Sequence, residues 1–232
     1  MTQRRYHEGL IVKSNKIGIT ETILRGLAQN GAPGGPYAGY QILMGSHREE
    51  ISIENMRRLH ELFRNSDRLS TYIEDDRSSS RLRLTNGTEY IEVPGSASSM
   101  RSWYRVIAVF LDEAAHYGLI NDDEVLAAAI GRLANTNGDL WAVSTPKGQR
   151  GWFHGRVRQV EEGKVNAWKR EYPYHVALDK LISREFIEDR AKTLGPLFAQ
   201  EFEAQFITSQ QSAISESIIE GAFEEFDSGV IE

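Results

Sequence analysis

Apolar segments of strand length alternate with longer segments of helical period over the first 145 residues. A short apolar run at 9–12 and the segment 41–44 predict strands, and the continuous apolar runs at 106–111 and 140–143 predict buried strands. Residues 21–29, 49–63 and 122–133 have the spacing of amphipathic helices, and the second of these carries on one side Ile53, Met56, Leu59, Leu62 and Phe63. This alternation predicts an α/β fold with a mostly parallel sheet and helices on both faces.

Turn signals and a change of pattern divide the chain further. Asn86-Gly87 lies between two strand-like runs, 81–84 and 89–93, and predicts a hairpin. Residues 31–39 are rich in Gly and Pro and predict a surface connection. After about residue 165, two helical stretches near 183–193 and 196–206 precede an acidic tail. We therefore expect a core over residues 1–164 and a small appended C-terminal helical segment over residues 165–232.

Composition excludes some classes of protein and leaves a nucleic-acid partner open. The absence of cysteine excludes disulfides and thiolate metal sites, and no apolar run approaches the roughly 18 residues of a membrane span. The net charge is −6, but residues 201–232 hold eight acids and no Lys or Arg, which leaves +2 for the rest. A basic group forms either a phosphate-facing patch or a solvated face; it comprises Lys147, Arg150, Arg156, Arg158, Lys164, Lys169 and Arg170.

The segment between the first strand and the first helix has features of a phosphate-binding loop. Gly18 permits a tight turn, a helix N-terminus follows, and Thr20 supplies a hydroxyl for Mg²⁺. The usual Walker A pattern GxxxxGK[ST] is broken, because Ile19 occupies the lysine position, and Lys13 and Lys16 are the available cations. Taken alone, the segment is better explained as an ordinary strand–turn–helix junction.

Two later strands also end in polar side chains. The run 106–111 leads into Asp112-Glu113, as in a Walker B strand; Asp112 would hold Mg²⁺, and Glu113 would orient and polarise an attacking water. The run 140–143 leads into Ser144-Thr145, whose hydroxyls can bond that water or a γ-phosphate and report the nucleotide state to the next loop. The alternatives are a surface acidic pair and a turn that closes a strand.

Together, and in this order, the three segments resemble the ATPase (motor) domain of viral DNA-packaging terminase large subunits. The resemblance covers roughly residues 9–210. Some members of that family place the phosphate-loop lysine at the start of the loop, in the pattern K-S-x-R/K-I/V-G-x-S/T, which is matched by Lys13-Ser14-Asn15-Lys16-Ile17-Gly18-Ile19-Thr20. The resemblance implies a P-loop NTPase of the additional-strand type, with an ATP site formed by these eight residues.

The resemblance also implies roles for single residues. Thr20 and Asp112 would hold Mg²⁺, Glu113 would be the catalytic carboxylate, and Ser144 with Thr145 would couple hydrolysis to movement. Arg101 ends the segment that precedes the acidic pair, 87–101, and is similar to the family's arginine finger, which acts on the nucleotide of a neighbouring subunit. A salt-bridged surface arginine is the alternative for Arg101.

By this resemblance the chain hydrolyses ATP with Mg²⁺ and moves double-stranded DNA into a procapsid, in the cytoplasm of the infected host cell. The portal and the small terminase subunit are implied partners, the active form is a homo-oligomeric ring, and no membrane contact is expected.

Two departures from the family qualify this expectation. About a dozen residues precede the phosphate loop, whereas the family usually carries a longer region that grips adenine, and no strand-borne acids typical of its nuclease follow residue 165. We therefore expect no DNA cleavage by this chain. The alternative function is a truncated or catalytically degenerate ATPase-fold module that acts in binding or assembly.

Overall fold

The computed structural model of the chain describes residues 6–118 and 122–208. The strands in these ranges are β1 (Glu8–Lys13), β2 (Gln41–Ser46), β3 (Ile73–Asp75), β4 (Arg81–Leu84), β5 (Glu89–Val93), β6 (Val106–Asp112), β7 (Asp139–Ser144) and β8 (Trp168–Tyr172). The α-helices are α1 (Ile19–Gly31), α2 (Glu49–Arg64), α3 (Asp67–Ser70), α4 (Ala97–Arg101), α5 (Asp122–Leu133), α6 (Gly151–Glu161), α7 (Arg184–Leu194) and α8 (Leu197–Glu201). Most of the predicted acidic tail falls in residues 209–232, outside the described part.

The strands form one sheet in the order β3-β4-β5-β2-β6-β7-β1-β8. The strands from β5 to β8 in this order are parallel, and β3 and β4 extend one edge in antiparallel fashion. Strand β7 lies between β1, which precedes the predicted phosphate loop, and β6, which ends in Asp112. The predicted mostly parallel sheet of the additional-strand type is therefore confirmed.

Helices cover both faces of the sheet because the central strands are apolar on both sides. All seven residues of β6 are buried. Val109 and Leu111 pack into one cluster with residues of α4, α5 and α6, whereas Ala108 and Phe110 pack into a second cluster with α1 and α2. Each buried Val, Leu or Phe side chain contributes about 1.5–3 kcal/mol, so these two clusters hold the strand ends in fixed positions.

The buried face of α2 differs from the prediction at its first turns. Met56, Leu59 and Phe63 are buried as expected, but Ile53 is 37% exposed, so its predicted place in the core was wrong. At this end of the helix the buried positions are polar and include Asn55, whose amide donates a hydrogen bond to Asp112. The N-terminal part of α2 therefore faces a polar contact, and its C-terminal part faces the apolar core.

The hairpin prediction at Asn86-Gly87 is confirmed, because β4 and β5 pair in antiparallel fashion with Leu82 opposite Tyr90. The connection 31–39 is more firmly packed than its composition predicts. Tyr37 is 1% exposed, and its hydroxyl donates a 2.6 Å hydrogen bond to Asp139 at the start of β7.

The chain after residue 165 begins with a strand of the same sheet. Strand β8 pairs in parallel with β1, from Gly9 opposite Trp168 to Lys13 opposite Tyr172, so the sheet continues past the boundary predicted at 164/165. Helix α7 lies where a helical stretch was predicted, whereas α8 covers only the first half of the stretch predicted near 196–206 and ends at Glu201. In the described ranges, no helix is both long enough and apolar enough to cross a membrane.

Two glycines, one at the turn into β7 and one in α6, differ in the space around them. A Cβ on Gly138, just before β7, would lie 2.3 Å from the carbonyl oxygen of Ile107, whereas a Cβ on Gly155 in α6 would meet no atom within 4 Å. We expect Gly138→Ala to lower the free energy of unfolding by about 1–3 kcal/mol and Gly155→Ala to raise it by up to about 1 kcal/mol. Urea unfolding measures both, and an unchanged midpoint in Gly138→Ala would contradict this packing.

Candidate active site

The predicted polar residues meet at the carboxyl edge of three neighbouring parallel strands. Val12 in β1 lies opposite Ser144 in β7, and Val143 in β7 lies opposite Asp112 in β6. The residues that directly follow these strand ends therefore share one crevice, which is where open α/β sheets bind ligands. The crevice forms from segments whose contacting residues are 31 to 100 positions apart in the chain.

The loop between β1 and α1 reverses the chain through two left-handed residues. Lys16 has φ 60° and Gly18 has φ 78°, and Gly18 immediately precedes the first helical residue, Ile19. Glycine adopts this conformation at no steric cost. The first N–H groups of α1 have no partner within the helix, so the helix presents hydrogen-bond donors and the positive end of its dipole at the crevice. This is the chemistry that a phosphate group requires.

Thr20 and Asp112 stand together and form a pair of hard oxygen ligands. The Thr20 hydroxyl donates a 3.3 Å hydrogen bond to Asp112 Oδ1, and the Asn55 amide donates a 2.9 Å hydrogen bond to Oδ2. Burial raises the pKa of Asp112, the neighbouring Glu113 charge adds to the rise, and Asn55 opposes it. Mg²⁺ usually takes one or two protein oxygens together with substrate phosphates. The hydroxyl and the carboxylate supply two such oxygens side by side.

Glu113 is held by contacts to both of its carboxylate oxygens. Oε1 accepts a 2.8 Å hydrogen bond from the ammonium of Lys13, whose side chain is 8% exposed. Oε2 accepts from the Thr145 N–H at 3.3 Å and the Thr145 hydroxyl at 3.2 Å. The Ser144 oxygen also lies 3.3 Å from Oε2, but its proton has a shorter bond, of 2.6 Å, to the Thr145 carbonyl oxygen. Burial alone would raise the pKa of Glu113, but the charge and hydrogen bond of Lys13 outweigh it and lower the pKa.

The backbone at Glu113 explains why its side chain and that of Asp112 diverge. Glu113 has φ 50°, a left-handed conformation that costs a residue with a Cβ about 1–2 kcal/mol. The reversal ends β6 after Asp112 and directs the Glu113 carboxylate toward β7 and Lys13, while Asp112 faces α1 and α2. Two adjacent carboxylates therefore stand in different electrostatic surroundings.

The other residues of the predicted phosphate loop face the C-terminal segment. The Ser14 N–H donates to Tyr172 O at 2.8 Å, and the Asn15 N–H donates to Glu201 O at 2.9 Å. Ile17 is buried in an apolar cluster with residues of α7 and of the segment around Phe202, and Ile19 packs against it. Lys16 is exposed. Of the eight predicted ATP-binding residues, the structure thus brings Lys13 and Thr20 to the two carboxylates.

Arg101 lies apart from these carboxylates, at the exposed end of α4. It lines a cleft of about 330 Å³ together with Ser96, Tyr117 and Asp122. Within the described ranges no carboxylate pairs with its guanidinium, so the salt-bridged alternative is not supported. An arginine placed in this way is available to another molecule.

The basic group between residues 147 and 170 is mostly neutralised by neighbouring acids, which favours the solvated-face interpretation. Arg156 pairs with Glu8 at 2.6 Å, and Lys169 pairs with Glu161 and Glu171 at 2.6 Å. Arg158 pairs with Glu161 and Glu162, and Lys164 pairs with Glu162.

Sequence reasoning missed three residues of the site, which are Asn55, His116 and His47. Asn55 carries a weak signal, since it is a polar residue on the buried stripe of a helix. His116 follows the acidic pair closely, but a single histidine there is no specific signal; its Nε2 lies 2.9 Å from the Thr145 hydroxyl. The His47 ring packs against the His116 ring with 5.5 Å between centroids. No local pattern links His47 to the site.

The sequence matches no protein-family model and no curated protein. The structure is similar to the large terminase ATPase domain of Thermus phage P74-26, with a TM-score of 0.65 and 18% identity over 88% of this chain and 90% of that one. It is also similar to the HK97 bacteriophage large terminase, with a TM-score of 0.72 and 16% identity over 87% of this chain and 47% of that one. For the large terminase of a thermophilic bacteriophage in complex with ADP, the TM-score is 0.67 and the identity 13%, over 87% of this chain and 48% of that one.

These similarities confirm the predicted resemblance at the level of the fold. The chain has the P-loop-type fold of phage large terminase ATPase domains, and it spans about half the length of the HK97 protein and of the terminase solved with ADP. At 13–18% identity the likeness extends to the fold, while the roles of single residues rest on the geometry of the crevice.

The Lys13–Glu113 pair leads to a prediction about stability. In Lys13→Met the Glu113 carboxylate loses its counter-charge, and we expect the free energy of unfolding near pH 7.5 to fall by about 2 kcal/mol. This is less than the roughly 3–5 kcal/mol for breaking a fully buried pair, because 21% of the Glu113 side chain is exposed. Without Lys13, burial raises the pKa of Glu113 above its unfolded value, so the loss should be smaller at pH 5 than at pH 7.5, because more of the carboxyl group is protonated at the lower pH.

Urea unfolding at the two pH values measures this effect, and the double variant Lys13→Met/Glu113→Gln is its control. The control removes the unpaired charge and should recover most of the stability at the higher pH. A loss that is equal at both pH values, or that the control does not relieve, would contradict the electrostatic role of this pair.

Proposed function

We propose that the chain is a Mg²⁺-dependent ATP hydrolase, the motor domain of a terminase large subunit that moves double-stranded DNA. The observation that carries the proposal is the convergence of Lys13, Thr20, Asp112 and Glu113 at one edge of the sheet. A strand inserted between the phosphate-loop strand and the acidic strand supports it. The complex of a phage terminase of the same fold with ADP is further support.

Binding of ATP would use the loop and helix at one side of the crevice. The N–H groups at the start of α1 and the ammonium of Lys13 would bind the β- and γ-phosphates. Thr20 and Asp112 would hold Mg²⁺, which neutralises charge on the phosphate oxygens when it is bound. Asn55 fixes Asp112 by occupying Oδ2, so that Oδ1 remains directed at Thr20.

Hydrolysis would depend on a change of partner at Glu113. In the structure Lys13 occupies Oε1 of this carboxylate. When Lys13 contacts a phosphate instead, Oε1 becomes able to accept a hydrogen bond from the attacking water and to orient it. The N–H and hydroxyl of Thr145 continue to donate to Oε2 and thereby aim the carboxylate, while the Ser144 hydroxyl donates to the Thr145 carbonyl. The same two residues lead into the loop 146–150, so they are suited to couple hydrolysis to movement.

The partners follow from this motor function. We infer double-stranded DNA as the cargo, the portal and the small terminase subunit as protein partners, and a homo-oligomeric ring as the active form, in the cytoplasm of the infected host cell. Arg101 would act as an arginine finger in such a ring, because its guanidinium is exposed and has no acidic partner in the described ranges.

The decisive variant for ATP hydrolysis is Glu113→Gln. The amide retains the shape of the carboxylate but cannot accept a proton, so we expect turnover to fall by roughly 10²–10⁴-fold, with ATP affinity changed by only a few-fold. Phosphate release, with and without double-stranded DNA, and titration with a fluorescent ADP analogue measure the two quantities.

The matched control for this experiment is Glu188→Gln on the exposed face of α7, which should hydrolyse ATP at the wild-type rate. Equal background rates in the wild type, Glu113→Gln and the control would instead favour the alternative, a binding or assembly module with an ATPase fold.

The role of Arg101 in a neighbouring subunit can be tested by mixing. Arg101→Ala should bind ATP normally but lose at least about 100-fold in turnover, since an arginine finger contributes roughly 10³–10⁵ in rate. A mixture of Arg101→Ala and Glu113→Gln should regain activity, because one subunit supplies the intact Glu113 and the next supplies the intact arginine. Arg77→Ala, another exposed arginine, is the control. Wild-type turnover by Arg101→Ala alone would exclude the role, and an inactive mixture would exclude its action between subunits.

A further inference from the structure

One side chain next to the catalytic crevice has no place in the mechanism above. His116 ends the short 3₁₀ helix Ala114–His116, which follows Glu113 directly. Its Nε2 lies 2.9 Å from Thr145 Oγ1, and its ring packs against the His47 ring at the end of β2. The same nitrogen is 3.8 Å from Glu113 Oε2. That distance is too long for a hydrogen bond, so the hydrogen-bonded route from the His116 ring to the Glu113 carboxylate passes through Thr145.

The direction of the hydrogen bonds follows from the number of protons available. A threonine hydroxyl has one proton, and an ionised carboxylate can only accept. Thr145 Oγ1 lies 3.2 Å from Glu113 Oε2, so the Thr145 proton points to Glu113. The Thr145 oxygen must then accept its bond from His116, which requires a proton on Nε2. The chain of donors therefore runs from His116 to Thr145 to Glu113.

The surroundings of His116 keep its ring neutral, so the ring carries a single N–H, on Nε2. Burial lowers the pKa of His116 to about 4, the nearby Glu113 opposes this, and Lys147, His47 and Lys13 add to the lowering. A neutral imidazole carries one N–H, so the ring that donates from Nε2 has an unprotonated Nδ1. His47 packs on one side of this ring and limits its rotation.

We propose that His116 is a positioning residue for hydrolysis, which fixes the Thr145 hydroxyl and through it the Glu113 carboxylate. The proposal rests on the ATPase function inferred above and adds a residue to it. A hydroxyl without the His116 bond is free to rotate away from Oε2, and Glu113 then loses one of the contacts that aim Oε1 at the water. The consequence is a slower chemical step with little change in nucleotide binding, because the hydrogen bond of His116 goes to Thr145 and not to the phosphate loop or Thr20.

Three substitutions of His116 separate positioning from packing. Glutamine places an amide N–H close to the position of Nε2, whereas the shorter asparagine and alanine leave Thr145 without a donor. We expect His116→Ala and His116→Asn to lower kcat about tenfold, which corresponds to about 1.4 kcal/mol, with KM for ATP within about twofold. His116→Gln should retain kcat within about threefold. An equal loss of kcat in the Gln and Asn variants, or a change confined to KM, would overturn the proposal.

A double-mutant cycle with Thr145→Val tests whether the effect passes through Thr145. Valine removes the hydroxyl and keeps the shape, so His116 has nothing left to fix. The double variant His116→Ala/Thr145→Val should be no slower than Thr145→Val alone. Losses that multiply would show that His116 acts independently of Thr145 and would overturn the proposed chain. Thermal unfolding of each variant identifies any that are slow because they are not folded.

A measurement on the wild-type chain without nucleotide distinguishes failure of this proposal from failure of the ATPase function. NMR of ¹⁵N-labelled histidine should find the His116 proton on Nε2, and the Thr145→Val substitution should shift that signal. A proton on Nδ1 would overturn the role of His116 whether or not the chain hydrolyses ATP. Absence of ATP turnover in the wild type, with the Nε2 proton in place, would overturn the ATPase function and with it the catalytic purpose of the hydrogen-bond chain.

Discussion

The parallel pairing of β1, β7 and β6 is the constraint on which the candidate site depends. These strands are neighbours in the sheet and run in one direction, so Lys13, Ser144 and Asp112 are brought to a common edge. The pairing is held from both faces by the two apolar clusters, because the central strands are buried on both sides. A shift in the register of β7 would separate Thr145 from Glu113, although the residues themselves would be unchanged.

Two carboxylates that are adjacent in the chain have pKa values shifted in opposite directions by their surroundings. Asp112 is buried beside Asn55 and Thr20, and burial raises its pKa. Glu113 is half-buried, and Lys13 lies against it and lowers its pKa. The left-handed backbone at Glu113 makes this separation possible, because it directs the two side chains to different partners. A cation would favour the ionised form of Asp112, whereas Glu113 already has its cation in the protein.

The loop between β1 and α1 also connects the crevice to the end of the described chain. The backbone of Ser14 and Asn15 donates to Tyr172 and Glu201, and Ile17 packs with the C-terminal helices. The boundary between core and appended segment was predicted at 164/165, just before β8. The reason is that β8 is partly exposed and charged, so its sequence has only a weak strand pattern. Its apolar and polar residues do not alternate as those of a half-buried strand would. Pairing with β1, not local sequence, makes it a strand of this sheet.

The sequence by itself determined the α/β class, the central buried strands, the hairpin at Asn86-Gly87 and the acids and hydroxyls that end two strands, because periodicity and turn chemistry are local properties. The additional-strand arrangement of the sheet was implied only by the resemblance to terminases, which rests on the order of the three motifs. The tertiary structure decided that Lys13 reaches Glu113, that Asn55 and not Ile53 faces inward, and that His116 bonds Thr145. These contacts join residues 29–100 positions apart. In α2 the contact to Asp112 places a polar residue on the buried side where the apolar pattern predicted Ile53. They are decided by strand order and packing, which no short stretch of residues encodes.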